Sequence, residues 1–356
     1  MTTRIAIVGG FLGAGKTTLI LAAAKRLAAR GYRVGLVTND QGEGLVDTAL
    51  AGDAEIPVAE VAGGCFCCRF PDLLAGLQRL QEVASPDVIL AEPVGSCTDL
   101  IAPVLRPLVQ FYGEQYELAP LTVLLDSSRS LADFPDDIRY LHEQQVAEAE
   151  ILLHSKSDLA AGNGTRIGRK ERMGADINET PVLPISAVTG DGVDEWLDVI
   201  LGQSSRNPAA LLIDYERYAQ AEAALGWLNA KGQVRADTPY SAREWTAHLL
   251  AMLESLCTEQ SVSIAHIKVL VTTPEGKVKA SLTQAGSLSW DLDSPTADTR
   301  SHEFVLNARV NATPGQLEQI ALQAIEAAKP DPAARYYIEH FECFSPLPPR
   351  PTHRLA

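Results

Sequence analysis

The segment GGCFCC at positions 63–68 places Cys65, Cys67 and Cys68 within four residues, in a chain with only six cysteines. Thiolates crowded in this way suit soft or borderline metals such as Zn²⁺, Co²⁺ or Cu⁺. Cys65 and Cys67 are two apart and share one side of an extended chain. Cys68 needs a local turn to join them, which the neighbouring glycines permit. Three sulfurs at about 2.3 Å from Zn²⁺ leave one corner of a tetrahedron open. Water, Asp40 or Glu43 can fill that corner, and an incompletely closed site suits a carrier that must also release. The competing readings are a redox pair and inert buried thiols. A vicinal Cys67–Cys68 disulfide is strained, and the metal reading leads over a redox pair. Cys97 is expected to be packed in the interior, within reach of the same site.

A second constellation lies upstream. GGFLGAGKT matches G-x-x-x-x-G-K-[ST] from Gly10 through Gly13, Ala14 and Gly15 to Lys16, Thr17 and Thr18. Glycines let backbone N–H groups curl around phosphate oxygens, Lys16 neutralises β- and γ-phosphates, and the Thr17 hydroxyl suits Mg²⁺. Glu92, in PDVILAEPVG, stands at a strand end where an acid orients Mg²⁺ or an attacking water; the plainer alternative is a solvated carboxylate. Further along, SKSD ends another strand. Asp158 has the two acceptor oxygens that guanine N1–H and N2–H₂ require, and the Lys156 stem can cover the base. Ser186-Ala187 stands where guanine-nucleotide proteins back the base from the other side.

These residues need a scaffold of buried strands feeding helices. RIAIVGG, YRVGLVTND, IPVAEVAGG, PDVILAEPVG, LTVLLDSSRS and AEILLHSKSDL read as strands, and KTTLILAAAKRLAAR as the helix after the phosphate loop. The fold class expected is α/β, a doubly wound and mostly parallel P-loop NTPase sheet over residues 1–205. A smaller C-terminal α+β, ferredoxin-like domain is expected over 206–345, with a loose Pro-rich tail over 346–356. In the second domain YAQAEAALGWLN is read as a strand, and helices capped by Ser241 and Thr313 are expected. IAHIKVLVTT and KVKASLTQ should form a hairpin. His248, His266, His302 and His340 are scattered there and read as structural.

Acidic residues outnumber basic ones by 45 to 30, for a formal net charge of −15, which disfavours nucleic-acid partners. No apolar run approaches the length of a membrane span, and the opening MTTRIAIVGG is too short for a secretory signal. A cytoplasmic protein with reduced thiols is expected.

Taken in order, the phosphate loop, the acidic glycine loop, GGCFCC, EPVG, SKSD and SAVTG resemble the CobW-like metal-chaperone GTPases. These are relatives of the nickel-insertion GTPases for urease and hydrogenase. The resemblance implies GTP hydrolysis with Mg²⁺ and the C-x-C-C motif as a site for Zn²⁺ or Co²⁺. It further implies transfer to a client metalloprotein, and it brings homodimers with it. The chain departs from the family pattern where Ser155 replaces the Asn of Asn-Lys-x-Asp, and where Asn39-Asp40-Gln41-Gly42 stands for Asn-Glu-Phe-Gly. Two readings stay open beside it: a GTPase that assembles or reactivates a cobalamin or other metalloenzyme without carrying metal, and a small-molecule kinase.

Overall fold

The computed structural model describes residues 2–40, 56–132, 134–160 and 180–355. They divide into two compact units. One holds the chain up to Ala221 together with Pro348 onward, and the other holds Glu222–Leu347.

The first unit is built on a parallel sheet of β1 (Thr3–Gly10), β2 (Val34–Asp40), β3 (Val58–Ala62), β4 (Val88–Glu92), β5 (Tyr116–Leu118), β6 (Thr122–Asp126), β7 (Ile151–Ser155) and β8 (Val182–Pro184). Their order is β3-β2-β4-β1-β6-β7-β8, with β5 also paired to β1. Strands covered on both faces read as continuous apolar runs, and β4 is buried at every position. The order reverses around β1, so a crevice opens beyond the carboxyl ends of the central strands, the usual ligand site of such sheets. β1 delivers the phosphate loop there, β4 delivers Glu92 and β7 delivers Ser155.

Helix Lys16–Ala29 seals one face by burying Leu19, Ile20, Ala23, Ala24 and Leu27. Helix Phe70–Ala84 begins directly after the cysteines and buries Phe70, Leu73, Leu77 and Leu80. Its apolar residues recur at three- and four-residue spacing, as an amphipathic helix requires. Fully burying each such side chain contributes about 1.5–3 kcal/mol, so this helix anchors the cysteine turn firmly.

The second unit is a six-stranded antiparallel sheet of β9 (Gly226–Tyr240), β10 (Ile264–Thr272), β11 (Lys277–Leu282), β12 (Ser289–Asp293), β13 (Thr299–Val310) and β14 (Arg335–Phe344). The order β12-β11-β10-β13-β9-β14 contains the split βαβ core, with β13 between β9 and β10. The β11 and β12 strands extend its edge. Helices Ala242–Glu259 and Pro314–Ala327 pack on the sheet, with Leu249, Leu253, Leu317 and Ile320 against Leu228, Ala230, Leu306 and Ala308. Ser241 and Thr313 cap them by accepting from Glu244 N–H and Gln316 N–H. The expected β10–β11 hairpin is present.

Two expectations are corrected. Residues 218–229 are expected as one strand, but those up to Ala223 belong to helix Tyr215–Ala223, and β9 starts only at Gly226. Tyr218 and Ala221 are buried three residues apart on that helix, a period that the strand reading overlooked. The Pro-rich segment is not a loose arm, because residues from Arg350 to Leu355 are bonded to the first unit.

No helix among the described residues is long and apolar enough to cross a membrane. Cys257 is a core residue of the second unit and Cys343 packs beside that core. His302 is buried between Tyr240, whose hydroxyl lies 2.8 Å from Nδ1, and Trp245. Burial pulls its imidazole down to about 3, as for a neutral structural histidine.

Candidate nucleotide and metal site

The phosphate loop closes on itself in this structure. Lys16 is buried, and its Nζ donates to the carbonyls of Gly10 at 3.0 Å and Phe11 at 3.5 Å. It also lies 3.9 Å from Glu92 Oε1, and the Thr17 hydroxyl donates to that same oxygen at 3.0 Å. A hydroxyl and a carboxylate oxygen brought together in this way form a hard donor pair that fits Mg²⁺.

Ser155 departs from the family motif, and its contacts give the position a role. Its buried hydroxyl is 2.8 Å from the Ala14 carbonyl and 3.2 Å from the Leu125 carbonyl. It therefore ties the end of β7 to the phosphate loop. Beyond it, Lys156 takes a left-handed backbone with φ 56° and pairs with Asp126 at 2.7 Å. Asp158 is exposed in the short helix Ser157–Ala160. Ser157 N–H donates to the Ile185 carbonyl at 3.2 Å, which brings the Lys156–Asp158 segment beside Ser186 and Ala187. Ser186 is fully buried and accepts from Thr189 N–H.

Two residues that motif reading missed support the loop. Arg129, after β6, is buried, donates to the Leu12 carbonyl at 2.9 Å and lies over the Phe11 and Phe134 rings. Burial pulls its guanidinium down to about 10. Gly95, in the EPVG segment, abuts the loop so closely that a Cβ there would stand 3.0 Å from Lys16 Nζ. The sequence shows an Arg after a strand and a Gly three residues past Glu92, but nothing local marks either one or says what it touches.

The three cysteines converge through a turn, not through the extended chain expected for Cys65 and Cys67. Cys68 N–H and Arg69 N–H both donate to the Cys65 carbonyl, so the chain winds directly into helix Phe70–Ala84. Gly63 enters this turn at φ 76°, a conformation that side chains disfavour. The sulfurs lie 2.8 Å (Cys65–Cys67), 3.3 Å (Cys65–Cys68) and 3.7 Å (Cys67–Cys68) apart. Zn–S bonds of about 2.3 Å at tetrahedral angles require about 3.8 Å between sulfurs, so an ion must spread the cluster, chiefly by moving Cys65 and Cys67 about 1 Å apart. Among the described residues, no other three His, Cys, Asp or Glu ligand atoms cluster this way.

Cys65 and Cys67 are buried and Cys68 is partly exposed. Hydrogen bonds from Cys65, Cys68 and Cys97, together with burial, push the Cys67 thiol well up. Cys68 is pushed up to about 11, chiefly by Cys65, while the Arg350 N–H acts in the opposite direction. The metal-free cluster is therefore protonated at neutral pH, and metal must displace protons to bind. Cys97 is buried as expected, and its thiol bonds toward Cys65 and Cys67.

Asn39 joins the two halves of the site. From β2 its Nδ2 donates to the Val61 carbonyl at 2.8 Å and to the Gly64 carbonyl at 2.7 Å, holding the entry to the cysteine turn. Its neighbour Thr38 is in register with Glu92 on β4. Glu43 and the side chain of Asp40, the two candidate fourth ligands, lie outside the described residues.

Part of this chain is similar to known proteins. The family "CobW/HypB/UreG, nucleotide-binding domain" matches residues 4–183. The zinc chaperone YeiR of Escherichia coli (strain K12) is 34% identical over 165 residues, 44% of this chain and 47% of that protein. The zinc chaperone YjiA of the same organism is 28% identical over 197 residues, 53% of this chain and 58% of that protein. The chain thus spans about half the length of the curated relatives it matches. Among solved structures, the hydrogenase maturation factor HypB from Archaeoglobus fulgidus is 22% identical, covers 56% of this chain and 89% of that one, and has a TM-score of 0.39. With a family match over half its length and the phosphate loop inside that match, this chain belongs to the CobW/HypB/UreG family.

Proposed function

We propose that this chain is a GTP-hydrolysing metallochaperone that carries Zn²⁺ on Cys65, Cys67 and Cys68 and passes it to a client metalloprotein. The observation that carries the reading is the convergence of three thiols in one turn, held by Asn39 from the strand beside Glu92. The family membership and the zinc chaperones among its relatives support zinc as the cargo.

In this reading the nucleotide enters the crevice at the ends of β1, β4 and β7. Lys16 leaves the Gly10 carbonyl for the β- and γ-phosphates, and backbone N–H groups from Gly13 to Thr18 receive the phosphate oxygens. Thr17 and Glu92 hold Mg²⁺, which when bound neutralises charge on the phosphate oxygens. Glu92 also has the position to orient the water that cleaves the γ-phosphate. Asp158, with Lys156 and the Ser186-Ala187 segment, receives guanine. Ser155 fixes the distance between that base site and the phosphate loop through Ala14.

Nucleotide state reaches the metal because β2 borders both sites. Repositioning Glu92 on β4 acts on Thr38 in register with it, and the adjacent Asn39 holds Gly64, the residue before Cys65. Linkage makes this coupling reciprocal: whatever GTP does to zinc affinity, zinc does to GTP affinity. The test is Zn²⁺ competition with a chromophoric chelator under reducing conditions, in the apo, Mg-GDP and Mg-GTP-analogue states. Tight binding that differs between the nucleotide states supports a gated carrier. Equal affinities in all three states refute the coupling, and no binding refutes the cargo.

A further inference from the structure

Residues 349–355 run along the first unit against the cysteine turn, with a bend at Thr352. Arg350 N–H donates to Cys68 Sγ at 3.1 Å. Thr352 N–H donates to the Cys67 carbonyl at 2.9 Å, and its hydroxyl to the Cys68 carbonyl at 3.3 Å. Leu355 N–H donates to the Ala102 carbonyl, and Arg106 donates to the Leu355 carbonyl. The His353 ring packs edge-on against Phe70, the first residue of the helix that follows the cysteines, at 5.0 Å between centroids.

The sequence of this segment fits the job. Successive N–H groups of an extended chain point in opposite directions. Arg350 and Thr352 direct theirs at the cysteine turn, and Pro349 and Pro351 occupy the alternate positions, where no N–H is used. Proline therefore costs this contact nothing and pre-sets the extended form, which lowers the entropy lost on docking. The segment is latched at its far end. Arg354 Nε bonds Asp99 Oδ2 at 3.0 Å, and that carboxylate is almost wholly buried, shared only with the Tyr215 hydroxyl at 2.5 Å among the described residues. A buried carboxylate that loses its cation is strongly disfavoured, so the latch resists opening.

From these contacts we infer that residues 348–355 are a strap, bound in cis, that covers the cysteine turn and controls exchange at Cys68. Cys68 is the partly exposed thiol of the three, hence the one an incoming acceptor thiolate reaches first, and the strap lies on it. Asp99, the latch residue, follows Glu92 and Gly95 in the same loop, so movement of that loop against the phosphate loop can loosen the strap. The release function of the strap rests on the zinc reading above; its cover over Cys68 does not.

The test is therefore made first without metal. In the reduced apo protein, the N-ethylmaleimide labelling rate of Cys68 is followed by peptide mass spectrometry, with the core thiol Cys257 as an internal reference. Arg354→Ala and a chain ending at Leu347 are expected to speed Cys68 labelling by about tenfold or more, with Cys257 unchanged. A synthetic peptide of residues 346–356 should restore protection to the shortened chain. Cys68 rates within twofold of the parent in both variants would overturn the strap. Equal acceleration of Cys257 would also overturn it, as it would report general loosening. With zinc loaded, release to a chelator should accelerate in the same variants. A protein that binds no zinc yet shows the labelling pattern would keep the strap and reject the metallochaperone reading.

Discussion

Replacing Gly95 by alanine tests whether the EPVG segment forms part of the nucleotide site. A methyl group there would stand 2.8 Å from Leu12 Cδ2, 3.0 Å from Lys16 Nζ and 3.1 Å from Leu12 Cα. The Leu12 tip can rotate away. The Leu12 backbone cannot move alone, because Arg129 holds its carbonyl, and Lys16 is buried with little room to retreat. Overpacking of this kind costs about 1–3 kcal/mol. Placed on the phosphate loop, the same energy lowers nucleotide affinity by roughly 5- to 150-fold, since about 1.4 kcal/mol is a factor of ten. The assay is titration of a fluorescent GTP analogue with Mg²⁺ into Gly95→Ala, alongside denaturant unfolding of the apo protein. Weaker nucleotide binding with unchanged apo zinc affinity is expected. A variant that binds nucleotide as the parent does, at any stability, would refute the contact as a feature of the nucleotide state.

Other substitutions probe separate links. Ser155→Ala removes the bond to the Ala14 carbonyl and leaves that loop acceptor buried, so GTP affinity should fall by roughly tenfold, at about 1–2 kcal/mol, in the same titration. Asn39→Ala deletes both bonds that hold the entry to the cysteine turn. Zinc affinity should weaken and its difference between GDP and GTP-analogue states should shrink, as read by chelator competition. Glu148 is buried beneath the Leu100 and Ile101 N–H groups, and burial, with the Asp99 charge adding to it, raises its carboxyl to about 8. Between about pH 4.5 and 8 the unfolded chain has lost this proton and the folded chain keeps it. Stability should therefore decline with rising pH by up to ~1.4 kcal/mol per unit in that window. Glu148→Gln should flatten the decline in urea unfolding measured at several pH values, and an unchanged slope would assign it to other groups.

Local chemistry made much of this molecule legible. The phosphate loop could be read because strand, glycines and helix are contiguous, and Ser241 and Thr313 because a cap sits beside the helix it caps. The cysteine cluster declared itself by spacing, although its geometry depends on a helical turn into Phe70 that the glycines concealed. What stayed hidden was set by distant contacts. Ser155 looked like a defect in a motif until its hydroxyl was found on Ala14. Arg129 and Gly95 carry no local signal, because their meaning lies in a loop far upstream. The Pro-rich segment read as loose for a sound reason: proline-rich chain makes no ladder of its own. Its order comes from Cys67, Cys68 and Asp99, far away in sequence.

These distant contacts share one direction. The three stretches that meet at the cysteine turn are the end of β2 through Asn39, the loop after β4 through Cys97, and the strap through Arg350, with Arg354 tying the strap to Asp99 of that loop. The first two also end at the phosphate loop, through the register of Thr38 with Glu92 and through Gly95 against Lys16. If the proposed nucleotide reading holds, a change at the γ-phosphate has two routes to the cysteines, one through the floor of the turn and one through its cover. On the proposed reading the floor would set sulfur spacing and so affinity, and the cover would set access to Cys68 and so rate. A carrier needs these to be separable, since it must hold metal tightly in transit and still surrender it quickly at the acceptor. Asn39→Ala and Arg354→Ala divide them: the first should alter zinc affinity with little effect on Cys68 labelling, and the second should do the reverse. If the two variants behave alike, floor and cover form a single element, and nucleotide controls both only together.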